Sequence, residues 1–158
     1  MRALLGVALL LALVGSAAAS DSPLFRRADG SAIVFPRDVR TWCDRTSLNV
    51  ATAGRLRQSH WELAVARRHV HAGRVVRFSW RRANGIGIFV YDAKTRNEAS
   101  QGAEGTHGVV TLRRATCKRG AALAIRLSGT IASEFSDGKP VEVSGTYRGQ
   151  VGPRPPGT

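Results

Sequence analysis

Between Arg74 and Asp92 the chain reads RVVRFSWRRANGIGIFVYD, two apolar runs on either side of Asn84-Gly85. Asn-Gly is the dipeptide that most readily takes the two left-handed conformations of a type I′ turn, so this stretch predicts a β-hairpin whose register the turn sets. Pairing outward from Ala83 and Ile86 places Trp80 opposite Phe89, Phe78 opposite Tyr91 and Arg77 opposite Asp92. Val76, Phe78, Trp80, Phe89 and Tyr91 then share one side, which carries four of the chain's ten aromatic residues and is the predicted core face.

Similar patterns recur on both sides of this stretch. His60 to Val70 alternates with period two, placing Trp61, Leu63 and Val65 on one face. A turn at His71–Arg74 would bring Val65 opposite Trp80, but it would also set Arg67 opposite Phe78 and His69 opposite Val76. That register needs either a bulge at Arg67-Arg68 or long side chains reaching over the rim to water. Val109–Cys117 and Ala121–Ile131 match in apolar phase with Val110 opposite Leu127, Leu112 opposite Ile125 and Thr116 opposite Ala121, around a four-residue loop ending in Gly120. Ile131–Phe135 and Val141–Tyr147 match with Phe135 opposite Val141 and Ser133 opposite Val143.

Towards the amino terminus, Ala32–Phe35 before Pro36 predicts an edge strand and Ser47–Ala51 a second short one. Ala93–Gly108 is polar throughout and predicts a long loop with at most one helical turn over Thr95–Ser100, the place where a functional loop would sit. Residues 151–158, VGPRPPGT, predict an extended or disordered tail. Seven to nine short strands with hairpin connections and no amphipathic helix define an all-β class. The expectation is an antiparallel β-sandwich, with a small β-barrel as the alternative, forming a single domain over residues 20–150.

The first residues, MRALLGVALLLALVGSAAAS, combine Arg2, an apolar core from Ala3 to Val14 and an Ala17-Ala18-Ala19 cleavage pattern. This is the layout of a secretory signal peptide over residues 1–19. About a dozen apolar residues are too few to span a bilayer, and no later segment qualifies. The expected product is an exported protein, periplasmic or extracellular, with no transmembrane segment in its mature chain. Export places Cys43 and Cys117, the only cysteines, in an oxidising compartment, which predicts a disulfide between them.

Without the leader, 23 basic residues face 11 acidic ones, a net charge near +12, and 20 of the bases are arginine. Such a field attracts polyanions without specifying a fold. The Ala, Gly, Val and Arg bias is also that of a GC-rich bacterial genome. Arg67-Arg68, Arg81-Arg82 and Arg113-Arg114 are the candidate anion-binding residues, because guanidinium forks bind phosphate and carboxylate in pairs of hydrogen bonds. An anionic glycan, lipopolysaccharide or an acidic protein is the expected partner. Nucleic acid ranks low, since an exported protein rarely meets it and no stacking-aromatic module is present.

Two constellations suggest chemistry of other kinds. Glu98, Glu104 and His107, in the polar loop, are residue types suited to general acid and base work and define the alternative of a secreted hydrolase. No nucleophile motif accompanies them. His69 and His71, at i and i+2, would share one face of a strand and form a metal-site alternative with His107, His60 or Glu104 as third ligand. Nothing calls for a cofactor. The sequence therefore favours a non-enzymatic binding module with a cationic surface, with the hydrolase, or an assembly protein pairing through a strand edge, as alternatives.

Overall fold

In a computed structural model, which describes residues 22–52 and 57–155, ten strands form two five-stranded antiparallel sheets. The predicted leader lies outside the described residues. The strands are β1 (Leu24–Arg26), β2 (Val39–Cys43), β3 (Ser47–Thr52), β4 (His60–Ala66), β5 (Arg74–Ser79), β6 (Ile86–Asp92), β7 (Asn97–Ser100), β8 (His107–Arg114), β9 (Ala122–Ile131) and β10 (Val141–Gln150). Sheet I has the order β1-β10-β9-β8-β5 and sheet II the order β2-β3-β4-β6-β7. The architecture is the expected β-sandwich, with one strand more than the upper estimate.

Its core is the set of inward phases of the two sheets. Leu123, Ile125 and Leu127 of β9 and Val110 and Leu112 of β8 face Leu63 and Val65 of β4 and Ile86, Ile88 and Val90 of β6, all buried. Trp61 is fully buried between Phe25 (ring centroids 5.4 Å apart) and Tyr147 (6.2 Å, edge to face), so one indole joins both layers. The Tyr147 hydroxyl shares a buried 2.7 Å hydrogen bond with Thr41 Oγ1 across the same layers.

The central hairpin is not formed. Asn84 (φ 51°) and Gly85 (φ 78°) do take the left-handed conformations foreseen for them, and the Ile86 amide donates to Ala83 O at 2.9 Å. A second reversal precedes this turn, with Ser79 and Arg82 exchanging backbone hydrogen bonds of 2.9 and 3.0 Å. The two turns in succession leave β5 in sheet I, paired with β8, and start β6 in sheet II, paired with β4. Gly85 O takes the Ala66 amide at 2.7 Å, which extends the β4–β6 ladder, and a Cβ on Gly85 would collide with that of Ala66. Leu63 opposite Ile88, Trp61 opposite Val90 and Val65 opposite Ile86 then bury three aliphatic-rich pairs at once.

The predicted core face is inverted on β6 as a result. Ile88 and Val90 point inward, while Phe89 and Tyr91 are half-buried on the outside, and Trp80 is exposed in the turn. Arg77 does not meet Asp92, which pairs instead with Arg27. The conflict at Arg67 and His69 is resolved by neither a bulge nor a rim crossing: β4 stops at Ala66 and Arg67–His69 form a 3-10 turn leading to the other sheet.

Elsewhere the registers are partly as expected. Val110 lies opposite Leu127 and Leu112 opposite Ile125, but a bulge at Arg113 ends β8 at Arg114, so Thr116 does not pair with Ala121. Val141 pairs with Ile131 rather than Phe135, and Val143 with Gly129 rather than Ser133. Residues after Ile131 are drawn to β7 of sheet II: Ala99 bridges Ser133, the Glu134 amide donates to Glu98 O at 2.8 Å, and Asn97 Nδ2 donates to Lys139 O at 2.8 Å. Phe135 is left exposed.

The polar stretch 93–108 is not one long loop. Asn97–Ser100 pair with β6 as strand β7 and bury Ala99 completely, so no helical turn forms there. Near the amino terminus the edge strand is Leu24–Arg26. Of the predicted strand, Ala32 makes only an isolated bridge, while Ile33 is buried. The tail is ordered at its start: Val151 is buried and exchanges backbone hydrogen bonds with Gly120 and Ala121, and the Gly152 amide donates to Thr41 O.

Glycine lets β8 and β9 approach under the Phe78 ring. Gly108 and Gly129 are paired, and a Cβ on Gly129 would collide with the backbone of His107 and Gly108. Gly129→Ala should therefore lower stability by about 2 kcal/mol, as overpacking against immovable backbone does. A chemical denaturation midpoint checks it, and a wild-type midpoint would show that the strands can part.

Candidate functional site

Strand alternation decides which side chains reach solvent, because residues two apart share a face and register aligns those faces across strands. On sheet I the outward phase of β9 is Ala124, Arg126 and Ser128. Arg126 lies opposite Thr111 of β8 and Thr146 of β10, and the next row is Arg114, Ala124 and Arg148. Arg114 and Arg148 are thus each a diagonal neighbour of Arg126, a spacing of roughly 7–8 Å between backbones that long side chains bridge easily. All three arginines are exposed, and among the described residues none of them is in an ion pair. Glu142, the acid on this face, is one strand over and two rows away, accepting from Thr130 Oγ1 at 2.8 Å.

Three unneutralised guanidinium groups framed by the hydroxyls of Thr111 and Thr146 can bind a phosphate, sulfate or carboxylate group by charge-assisted hydrogen bonds. Of the candidate doublets, Arg114 belongs to this cluster and Arg113 lies beside it at the bulge. Arg67 and Arg68 sit on the 3-10 turn, where Arg67 Nη1 donates to Asp44 O at 3.1 Å. Arg81 and Arg82 occupy the turn after β5, with the Arg81 guanidinium stacked 4.7 Å from the Trp80 ring centre. Arg126 and Arg148 are isolated in sequence and were not among the candidates.

The residues proposed for acid and base work are spread out. Glu98 is on the outer side of β7 in sheet II, Glu104 is exposed in the 101–106 loop, and His107 begins β8 on the outer side of sheet I. Among the described residues no hydrogen bond joins any two of these side chains, and the His107 ring nitrogen Nδ1 lies 2.9 Å from Gly105 O.

His69 and His71 are not on a strand, which removes the shared-face argument. His69 is buried with Nε2 donating to Asn84 O at 2.9 Å. Its pKa is lowered, chiefly by burial and further by Arg68, Arg74 and His71, against the pull of that hydrogen bond. His71 is exposed. Among the described residues no group of three or more His, Cys, Asp or Glu side chains is placed to hold a metal ion.

Several further concavities mark the surface, the most open of them shallow hollows between loops and beside β5. A cleft of about 660 Å³ opens at one end of the sandwich between the loops around Asp29, Arg96 and Lys139, with the Arg27–Asp92 ion pair in its wall. A groove of about 390 Å³ crosses the outer face of sheet II from Trp42 to Phe89. At the other end of the sandwich Cys43 and Cys117 form the predicted disulfide, tying β2 of sheet II to the loop after β8 of sheet I, with Cα atoms 5.7 Å apart.

The chain is thus a disulfide-clasped, two-sheet antiparallel β-sandwich with a cationic outer face. Comparison with protein-family models, with curated proteins and with solved structures gives no significant match. No helix among the described residues is long and apolar enough to cross a membrane.

Proposed function

We propose that this protein is an exported, non-enzymatic binding module whose sheet I face engages an anionic envelope glycan through the phosphate or carboxylate groups that such polymers repeat. The observation that carries this reading is the convergence of Arg114, Arg126 and Arg148 on three adjacent strands with no acidic partner among the described residues. A repeating anion matches a rigid sheet that repeats its cations at strand spacing, and the net charge near +12 of the chain without its leader adds long-range attraction. The disulfide and the leader-like amino terminus support an extracytoplasmic setting.

Titration with purified lipopolysaccharide and with a soluble polyuronate tests this. Binding should be clear at low ionic strength and fall steeply at moderate salt, because exposed charges are screened within about 10 Å at 0.1 M. Exchanging Arg126 and Arg148 for glutamine should weaken it roughly tenfold per guanidinium removed. Absence of binding at low salt, or equal affinity in the double variant, would overturn the assignment.

A further inference from the structure

Sheet II presents a different chemistry. Its outer face carries Trp42 on β2 and Phe89 on β6, both half-buried, with β3 and β4 between them. They are three strand spacings apart and offset by two residues along the strands, since the row of Trp42 ends at Gly87, which puts their backbones about 16 Å apart. The floor between them is made by Ala51, Ala64 and Gly87, with Asn49 beside Trp42 held down by its hydrogen bond to Asp44 at 3.0 Å, and the groove over it encloses about 390 Å³. Glu62 rises from this floor next to Phe89, exposed, and among the described residues its carboxylate has no hydrogen-bond or ion-pair partner. Gln101 and Ser100 close the Phe89 end. The aromatic wall continues outward, since the His60 ring lies 5.6 Å from that of Phe89 and 5.3 Å from that of Tyr91.

We infer that this groove is a second binding site, distinct from the arginine face, for a neutral polysaccharide strand laid across β2, β3, β4 and β6. A sugar ring offers an apolar C–H face and an equatorial rim of hydroxyls. Trp42 and Phe89 supply flat apolar platforms for the first, and a free carboxylate accepts hydrogen bonds from the second. The small residues of the floor leave room for a ring above the sheet where larger side chains would fill it. Charge does not favour an anion here: Glu62 lies in the groove itself and Glu98 beside Tyr91 on the same face, while Arg40, the cation on the β2 side of the same row, is paired with Asp38 at 3.5 Å. A neutral strand is neither repelled by Glu62 nor by the strongly positive chain as a whole.

Isothermal titration with soluble cello-, laminari- and N-acetylchito-oligosaccharides tests the site. At least one of these neutral probes should bind with an affinity that is unchanged between low and moderate salt, unlike the anion binding of sheet I. Trp42→Ala and Phe89→Ala should each weaken that binding about tenfold, which is 1.4 kcal/mol, while Arg126→Gln with Arg148→Gln should leave it unaltered. Both aromatic side chains lie on the outer face, so their removal spares the core, and retained polyanion binding and melting temperature verify folding. Failure of all three neutral probes to bind, or binding undiminished by the two aromatic substitutions, would overturn the inference, whatever becomes of the arginine face.

Discussion

Asp92→Ala should cost the fold roughly 3 kcal/mol, a large part of the 5–15 kcal/mol that holds a domain of this size together. The Asp92 carboxylate is 1% exposed and receives Arg27 Nε at 2.6 Å and Arg27 Nη2 at 2.8 Å, Thr95 Oγ1 at 2.7 Å and the Lys94 amide at 3.2 Å. Truncation leaves these donors facing an empty space, with the Arg27 guanidinium only 14% exposed. The lower end of the usual penalty for orphaning a buried charge applies, because Arg27 keeps hydrogen bonds from Nη1 to Ser31 Oγ and Ala32 O. Asp92→Asn should lose less, since it keeps the shape and part of the hydrogen bonding. Urea denaturation of the three proteins checks this, and a change below about 0.5 kcal/mol for the alanine variant would place the pair among ornamental ion pairs.

The same carboxylate gives the pH dependence its sign. Burial on its own would raise the Asp92 pKa, but the hydrogen bonds from Arg27, Thr95 and Lys94 together with the Arg27 charge outweigh it, and the pKa is lowered. A group whose folded pKa lies below its unfolded value near 3.9 contributes stability that is complete above that value and is lost as pH falls through the folded one. The part of the stability that Asp92 carries should therefore be level near neutrality and be lost below about pH 4. A separate decline should begin near pH 6.5, because the folded pKa of buried His69 is also lowered, and Asp92→Asn should flatten the acid part alone.

What could be read from the residues alone was local conformation, and what could not was the choice of partner. Asn84-Gly85 dictates a left-handed turn wherever it stands, yet the hairpin it suggests competes with β4, whose Trp61, Leu63 and Val65 match the aliphatic phase of β6 better than β5 does. Counting aromatics pointed to the wrong face of β6, because a thin space between two sheets is filled well by Ile and Val, while Phe89 and Tyr91 stack with His60 outside. The β8–β9 register was legible because both arms carry unbroken apolar alternation. For β10, Ile131 and Phe135 have the same parity, so phase could not separate them, and the contacts that decide, from Asn97 and Glu98, belong to a strand too polar to look like one. The arginine cluster was hidden for a related reason. Adjacent residues on a strand point to opposite faces, so a doublet such as Arg113-Arg114 is a poor signal, whereas single arginines in the outward phase of neighbouring strands converge.

Breaking the disulfide should have the largest effect of any covalent change. Cys43 and Cys117 are 74 residues apart, and in the chain-entropy account closing a loop of that size removes roughly 4 kcal/mol of disorder from the unfolded chain. Replacing both cysteines by serine should lower the denaturation midpoint accordingly and steepen the transition, because the released unfolded chain exposes more surface. The fold itself should persist. β2 remains paired with β3, and at its other edge the Thr41 hydroxyl still meets Tyr147 and Thr41 O still takes the Gly152 amide. A loss below about 1 kcal/mol would mean that these non-covalent ties already hold β2 against sheet I and that the clasp is redundant. With the ion pair fastening one end of the sandwich and the sulfur bridge the other, the two layers are joined by one link that is lost in acid and one that is lost under reducing conditions. The protein is consequently most stable where neither condition holds, as in an oxidising compartment near neutral pH, and the reduced chain well below pH 4 should be the least stable of the four combinations.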